Sequence, residues 1–127
     1  MITGRDQLSQ EIIKNLTDKT IKIKDIPKRY DVSLDQAKRL SRYLKITLIA
    51  KKYLSESVNQ KVNLMGLKVL ALADLFKNED WEGLEEILSS VNENTTIDQL
   101  KQMVLSLEEK RERIQEFLKL KYQKTLY

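Results

Sequence analysis

The 127-residue chain contains no cysteine and no histidine. Those absences remove disulfides, thiolate nucleophiles, imidazole bases and nearly every transition-metal site. Neither a metal nor a cofactor is expected. Glycine occurs three times and proline once, which leaves few places for tight hairpin turns or glycine-rich phosphate loops. No apolar run approaches the roughly 20 residues that span a bilayer, and the N-terminal stretch MITGRDQLSQEII lacks the apolar core of a secretory signal. No membrane partner is expected, and a cytoplasmic location follows.

Hydrophobic residues make up 41% of the chain and charged residues 33%. That balance suits a soluble globular protein with one modest core, and the abundance of Leu, Lys, Glu, Gln and Ile points to an all-α fold. Charge is distributed unevenly. Residues 1–62 carry 14 basic and 7 acidic side chains, a balance of +7, whereas residues 63–127 carry 9 and 12, a balance of −3. A cationic half joined to a mildly acidic one implies a polyanionic partner for the first half.

Hydrophobic spacing divides the chain further. Leu8, Ile12 and Leu16, widened by Ile13, predict a first helix that Thr3 can cap and that ends between Asn15 and Asp18. The alternating TIKIK that follows predicts a brief extended segment. Asp25 can cap a short second helix with Pro27 in its first turn, where a missing amide proton has no partner to lose. The chain must turn at Asp31, a residue that tolerates the left-handed conformation. Ser33, with Gln36 three residues on, has the spacing of a capping box and opens a third helix seated by Ala37, Leu40 and Leu44. Residues 46–54 read as either strand or helix, with helix favoured because no turn closes a hairpin.

Further along, Val58, Val62, Met65, Val69, Leu72 and Phe76 predict one continuous seam on a fourth helix started by Ser55 or Ser57. A shorter helix turns Trp81, Leu84, Ile87, Leu88 and Val91 inward. Thr96 with Gln99 caps a long last helix reaching Lys121 or beyond. Its coiled-coil-like seam of Ile97, Leu100, Val104, Leu107, Arg111, Ile114, Leu118 and Lys121 has basic residues at two positions. The carboxylates Glu79, Asp80, Glu82, Glu85 and Glu86 read as a solvated face rather than as acid–base groups, and no enzyme activity is expected.

The stretch IKDIPKRYDVSLDQAKRLSRYL combines a short helix, an abrupt turn and a second helix with an apolar inner and a basic outer face. Ile26 and Tyr30 face inward, and Val32 plugs the turn. In this pattern the stretch resembles the helix-turn-helix family of DNA-binding proteins, departing from it at Pro27, where Ala is common, and at Asp31, where Gly is common. The resemblance implies an N-terminal tri-helical head, residues 1–55, followed by a helical core and oligomerisation region, residues 56–127. It also implies a double-stranded DNA partner read in the major groove by helix 33–45. Lys38, Arg39 and Arg42 are then expected at guanine edges or phosphates, Gln36 at adenine, and Ser33 at the helix N-terminus. Lys28, Arg29, Lys45, Lys51 and Lys52 are expected at phosphates.

One recognition helix seldom suffices, so a homo-oligomer, with a dimer favoured, is expected. Leu100, Val104, Leu107, Ile114 and Leu118 are its expected contacts. The leading expectation is a transcriptional regulator. A DNA-packaging component resembling small phage terminase subunits, or a replication or partition component, is the nearest alternative, and a helical protein–protein adaptor or inhibitor is the alternative of another class.

Overall fold

A computed structural model describes residues 2–125, among which all regular secondary structure is helical. Met1, Leu126 and Tyr127, at the ends of the two expected regions, lie outside the described residues. Helices α1 (Gln7–Thr17), α2 (Ile26–Arg29) and α3 (Leu34–Tyr53) come first, with a 3-10 turn at Ile23–Asp25 before α2. There follow α4 (Glu56–Met65), a 3-10 segment Gly66–Leu72, α5 (Ala73–Lys77), α6 (Trp81–Leu88) and the long α7 (Ile97–Thr125).

Cap chemistry explains where these elements start. Asp6, not Thr3, caps α1: its carboxylate accepts from the Ser9 amide at 2.7 Å and also from the Thr3 amide and the Ser9 hydroxyl. Thr3 is thus bound by the cap instead of being the cap. Ser33 and Gln36 form the full capping box of α3, at 3.1 Å and 3.0 Å. Thr96 and Gln99 do the same for α7. Ser55 precedes α4 without capping it, because its amide and hydroxyl both donate to the Glu85 carboxylate of α6.

The turns differ from expectation. Residues 20–25 form a bend and a 3-10 turn rather than an extended segment, so that Ile21 and Ile26 reach the core. Asp31 is not left-handed. Tyr30 is extended, and the Val32 amide returns to the Tyr30 carbonyl at 2.9 Å, which bends the chain without a positive φ. The non-glycine residues with positive φ are instead Lys19 (58°) and Glu79 (56°). Each follows the end of a helix, and the next amide bonds back to a carbonyl of the last turn: Thr20 to Asn15, Asp80 to Leu75. Both are Schellman closures with a charged residue where glycine is usual.

Two apolar clusters result. Ile2, Ile12, Ile21, Ile26, Ala37 and Leu40 form the first, with Tyr30 and Val32 packed against it. The second gathers Tyr43, Ile46 and Ala50 with residues of α4 to α7. Helix α3 therefore enters both, and residues 46–53 are its second half rather than a strand. Ile13 and Leu67 pack against both clusters. Leu44, expected to be buried, is only half-buried; Tyr43 and Ile46 take the inward positions, because contacts three apart drift around a 3.6-residue helix.

The expected continuous seam of the fourth helix is broken at Gly66, whose φ of 62° and ψ of −142° no helix tolerates. Yet Val58, Val62, Met65, Val69, Leu72 and Phe76 are all buried. The break admits the N-terminal arm: the Leu67 amide donates to the Thr3 carbonyl at 2.8 Å, and a Cβ on Gly66 would run into that same oxygen. The loop before α7 is held by lysines, Lys61 donating to the Val91 carbonyl and Lys68 to those of Glu93 and Thr95.

Helix α7 is about 43 Å long at 1.5 Å per residue. Of the expected oligomer contacts, Leu100 and Leu107 are buried in the chain's own core, and Val104 packs against that core while staying half-buried. Ile97 is exposed at the helix start. The first of the two basic positions in the seam is explained by Arg111, whose guanidinium makes two bonds, at 2.6 Å and 3.0 Å, to Asp80 at the start of α6. Beyond Arg111 the helix carries exposed Ile114, Phe117, Leu118 and Leu120.

Candidate nucleic-acid interface

The capping box sets the first turn of α3, and burial of Ala37 and Leu40 fixes the rotation of the helix about its axis. Everything on the opposite side of that turn must face solvent. Lys38, Arg42 and Lys45 follow at spacings of four and three, one stripe of a 3.6-residue helix, with Arg39 roughly a quarter turn round. All four are exposed, and none makes an ion pair or side-chain hydrogen bond among the described residues. Asp35 lies beside them, also without an ion pair, in the first turn where a carboxylate complements the helix dipole. Four cations are thus held on one rigid rod without internal neutralisation.

The remaining expected contacts are distributed less uniformly. Gln36 is partly engaged: its side-chain oxygen accepts from the Ser33 amide, which takes one of that oxygen's two lone pairs and fixes the side chain against the helix start. The Ser33 oxygen accepts from the Gln36 amide, which leaves its hydroxyl proton to donate at the helix N-terminus. Lys51 and Lys52 lie in the last turn, about 20 Å along the axis from Lys38, and Lys51 points roughly 140° away from that stripe. Both complement the negative end of the helix dipole there. The Lys52 ammonium sits 5.2 Å from the Tyr53 ring, which stacks on Trp81 with centroids 4.8 Å apart.

Lys28 and Arg29 are exposed on α2, and Arg29 lies over the Tyr30 ring at 5.7 Å. Tyr30 is itself anchored to α1, accepting from Asn15 at 2.6 Å and donating to Glu11 at 3.3 Å. Lys28 and Arg29 line an open depression together with Lys19 and Lys22. Those two lysines escaped sequence reasoning. Their charge is plain in the sequence, but only the fold sets the turn after α1, with left-handed Lys19 in it, around the same depression as α2.

Of the five carboxylates expected to form a solvated face, Glu79 and Glu82 are exposed and make no side-chain hydrogen bond or ion pair among the described residues, whereas Asp80, Glu85 and Glu86 have structural partners. Asp80 bonds Arg111 and caps α6 through the Gly83 amide at 3.1 Å, Glu85 holds Ser55, and Glu86 meets Lys110 at 3.0 Å. The Arg111 bonds, aided by the Gly83 amide and opposed by burial, hold the Asp80 carboxyl below the usual range. Among the described residues, no helix is long and apolar enough to cross a membrane. Compared with known proteins, this chain matches no family model, no curated protein and no solved structure.

Proposed function

We propose that this chain is a sequence-specific double-stranded DNA-binding protein, a homo-oligomeric transcriptional regulator that lays the first half of α3 in the major groove. One observation carries the reading: Lys38, Arg39, Arg42 and Lys45 stand unpaired on the outer face of a box-capped helix, immediately after a sharp turn. Gathering like charges on one helix face destabilises the free protein. A polyanion removes that cost and releases condensed counterions on binding.

Within that reading Arg39 and Arg42 are the base-reading residues, since a guanidinium presents the planar fork that matches guanine. Lys38 and Lys45 supply phosphate contacts as point charges, and the Ser33 hydroxyl meets a phosphate at the helix N-terminus. Because half of α3 belongs to the second cluster, the reading helix is braced at its far end by the body of the molecule. Oligomerisation falls to the part of α7 beyond Arg111, where Ile114 and Leu118 are exposed together with Phe117 and Leu120.

A gel-shift titration on random duplex DNA tests the assignment. The Arg39→Ala, Arg42→Ala double variant is expected to fold normally and to lose affinity, by about 1 to 3 kcal/mol for each base-reading arginine on the preferred site. Equal binding by both proteins, or by neither, sinks the assignment. A salt-insensitive complex with another protein would favour the adaptor class instead.

A further inference from the structure

We propose that the open depression between the end of α1 and α2 is a second anion site, one that takes phosphoryl groups. Lys19 and Lys22 come from the turn after α1, and Lys28 and Arg29 from α2; Asp25 is the single carboxylate at the rim, and Ile21 contributes apolar floor. All four cations are exposed, and none has an ion pair or a side-chain hydrogen bond among the described residues.

The donors decide the ligand class. The amides of Lys19 and Thr20 are spent on the closure of α1, and the Thr20 hydroxyl donates to the Asn15 carbonyl at 3.1 Å. Those two amides and that hydroxyl are therefore not free to cradle a small, shaped anion. What remains is a ring of long, adjustable ammonium groups and one guanidinium, steadied by the Tyr30 ring. Such a ring recognises charge density rather than shape, so it prefers a run of phosphoryl groups to a single carboxylate.

Two sources supply that chemistry, a duplex backbone and a free oligophosphate. Because α2 packs against α3, a duplex seated on α3 can extend its backbone over the depression. The duplex arm of the test rests on the function proposed above; the oligophosphate arm does not.

The test compares the full chain with a Lys19→Gly, Lys22→Gln variant, which keeps Arg39 and Arg42 and suits the left-handed backbone at position 19. Duplex affinity is measured across salt concentrations, and amide resonances of residues 19–29 are followed during titration with inorganic tripolyphosphate. If the duplex backbone is the ligand, the log–log salt slope of the variant shrinks by about 1.8, at about 0.9 per phosphate contact. Saturable shifts with tripolyphosphate in the wild type, absent in the variant, establish the site even if no duplex binds; the DNA reading then fails while this one stands. An unchanged salt slope together with no saturable shift at residues 19–29 overturns the proposal, whether or not duplex binds elsewhere.

Discussion

Gly66 and Glu79 show how differently a positive φ is tolerated. At Gly66 the backbone lies where side chains are essentially never found, and the Thr3 carbonyl fills the place of a Cβ. Gly66→Ala is expected to cost about 3 kcal/mol, combining strain with displacement of the N-terminal arm. At Glu79 the φ of 56° is ordinary left-handed helix, which glycine adopts freely and glutamate adopts at a cost. Glu79→Gly should therefore raise stability, by about 0.5 to 1 kcal/mol. Urea unfolding of the two variants checks the pair, and the opposite signs are the point: equal losses would mean that the Schellman closure at residues 78–80 imposes no strain. Neither position could be singled out from residue type, because one is a glycine inside a helical seam and the other a glutamate in a polar break.

At the scale of elements, acid sensitivity should come from helix starts. Burial pushes the Asp6 carboxyl up, but the amides of Thr3 and Ser9, followed by the hydroxyls of Ser9 and Thr3, outweigh it and bring the value down to about 2 from an ordinary 3.8. Asp80 is lowered in the same direction, chiefly by Arg111. A carboxyl whose folded value lies below its unfolded one stabilises the protein fully above the unfolded value. That contribution fades as pH falls through the folded value. The urea midpoint should thus hold from neutral pH to about 5 and then drop between about pH 4 and 2. An Asp6→Asn, Asp80→Asn variant should start lower and show a flatter acid limb; a limb as steep as that of the wild type would place the acid-sensitive groups elsewhere. Capping residues were the most legible elements of the sequence: the boxes at Ser33 and Thr96 form as their spacing predicts. Sequence alone does not choose the cap of α1, because Thr3 and Asp6, three residues apart, both suit the role, and the docking of the Thr3 carbonyl at Gly66 and Leu67 decides between them.

For the whole molecule, α7 divides at Arg111. Its first half belongs to the core through Leu100 and Leu107, and its second half projects with an apolar stripe uncovered. On the proposed function this stripe pairs copies of the chain, so sedimentation velocity should show a species larger than one chain. Phe117→Glu with Leu118→Glu should weaken that association on the order of 100-fold while leaving the unfolding midpoint unchanged, because both side chains are exposed in the single chain. A monomeric wild type at high concentration would remove α7 from the interface. Leu100, Val104 and Leu107 share the same heptad spacing as Ile114 and Leu118, so spacing alone cannot separate an internal seam from an external one. The dividing contact, Arg111 to Asp80, joins residues 31 apart in sequence.

From composition and local spacing alone came the helical class, the starts of α3 and α7, the sharp turn before Ser33 and the basic outer face of α3, since each depends on interactions within a few residues. The tertiary structure decided that α3 runs unbroken through two apolar clusters, that the fourth helix breaks at Gly66, and that Lys19 and Lys22 join Lys28 and Arg29 around one depression. These features depend on contacts between residues distant along the chain, where burial and steric exclusion override the preference that each segment has by itself.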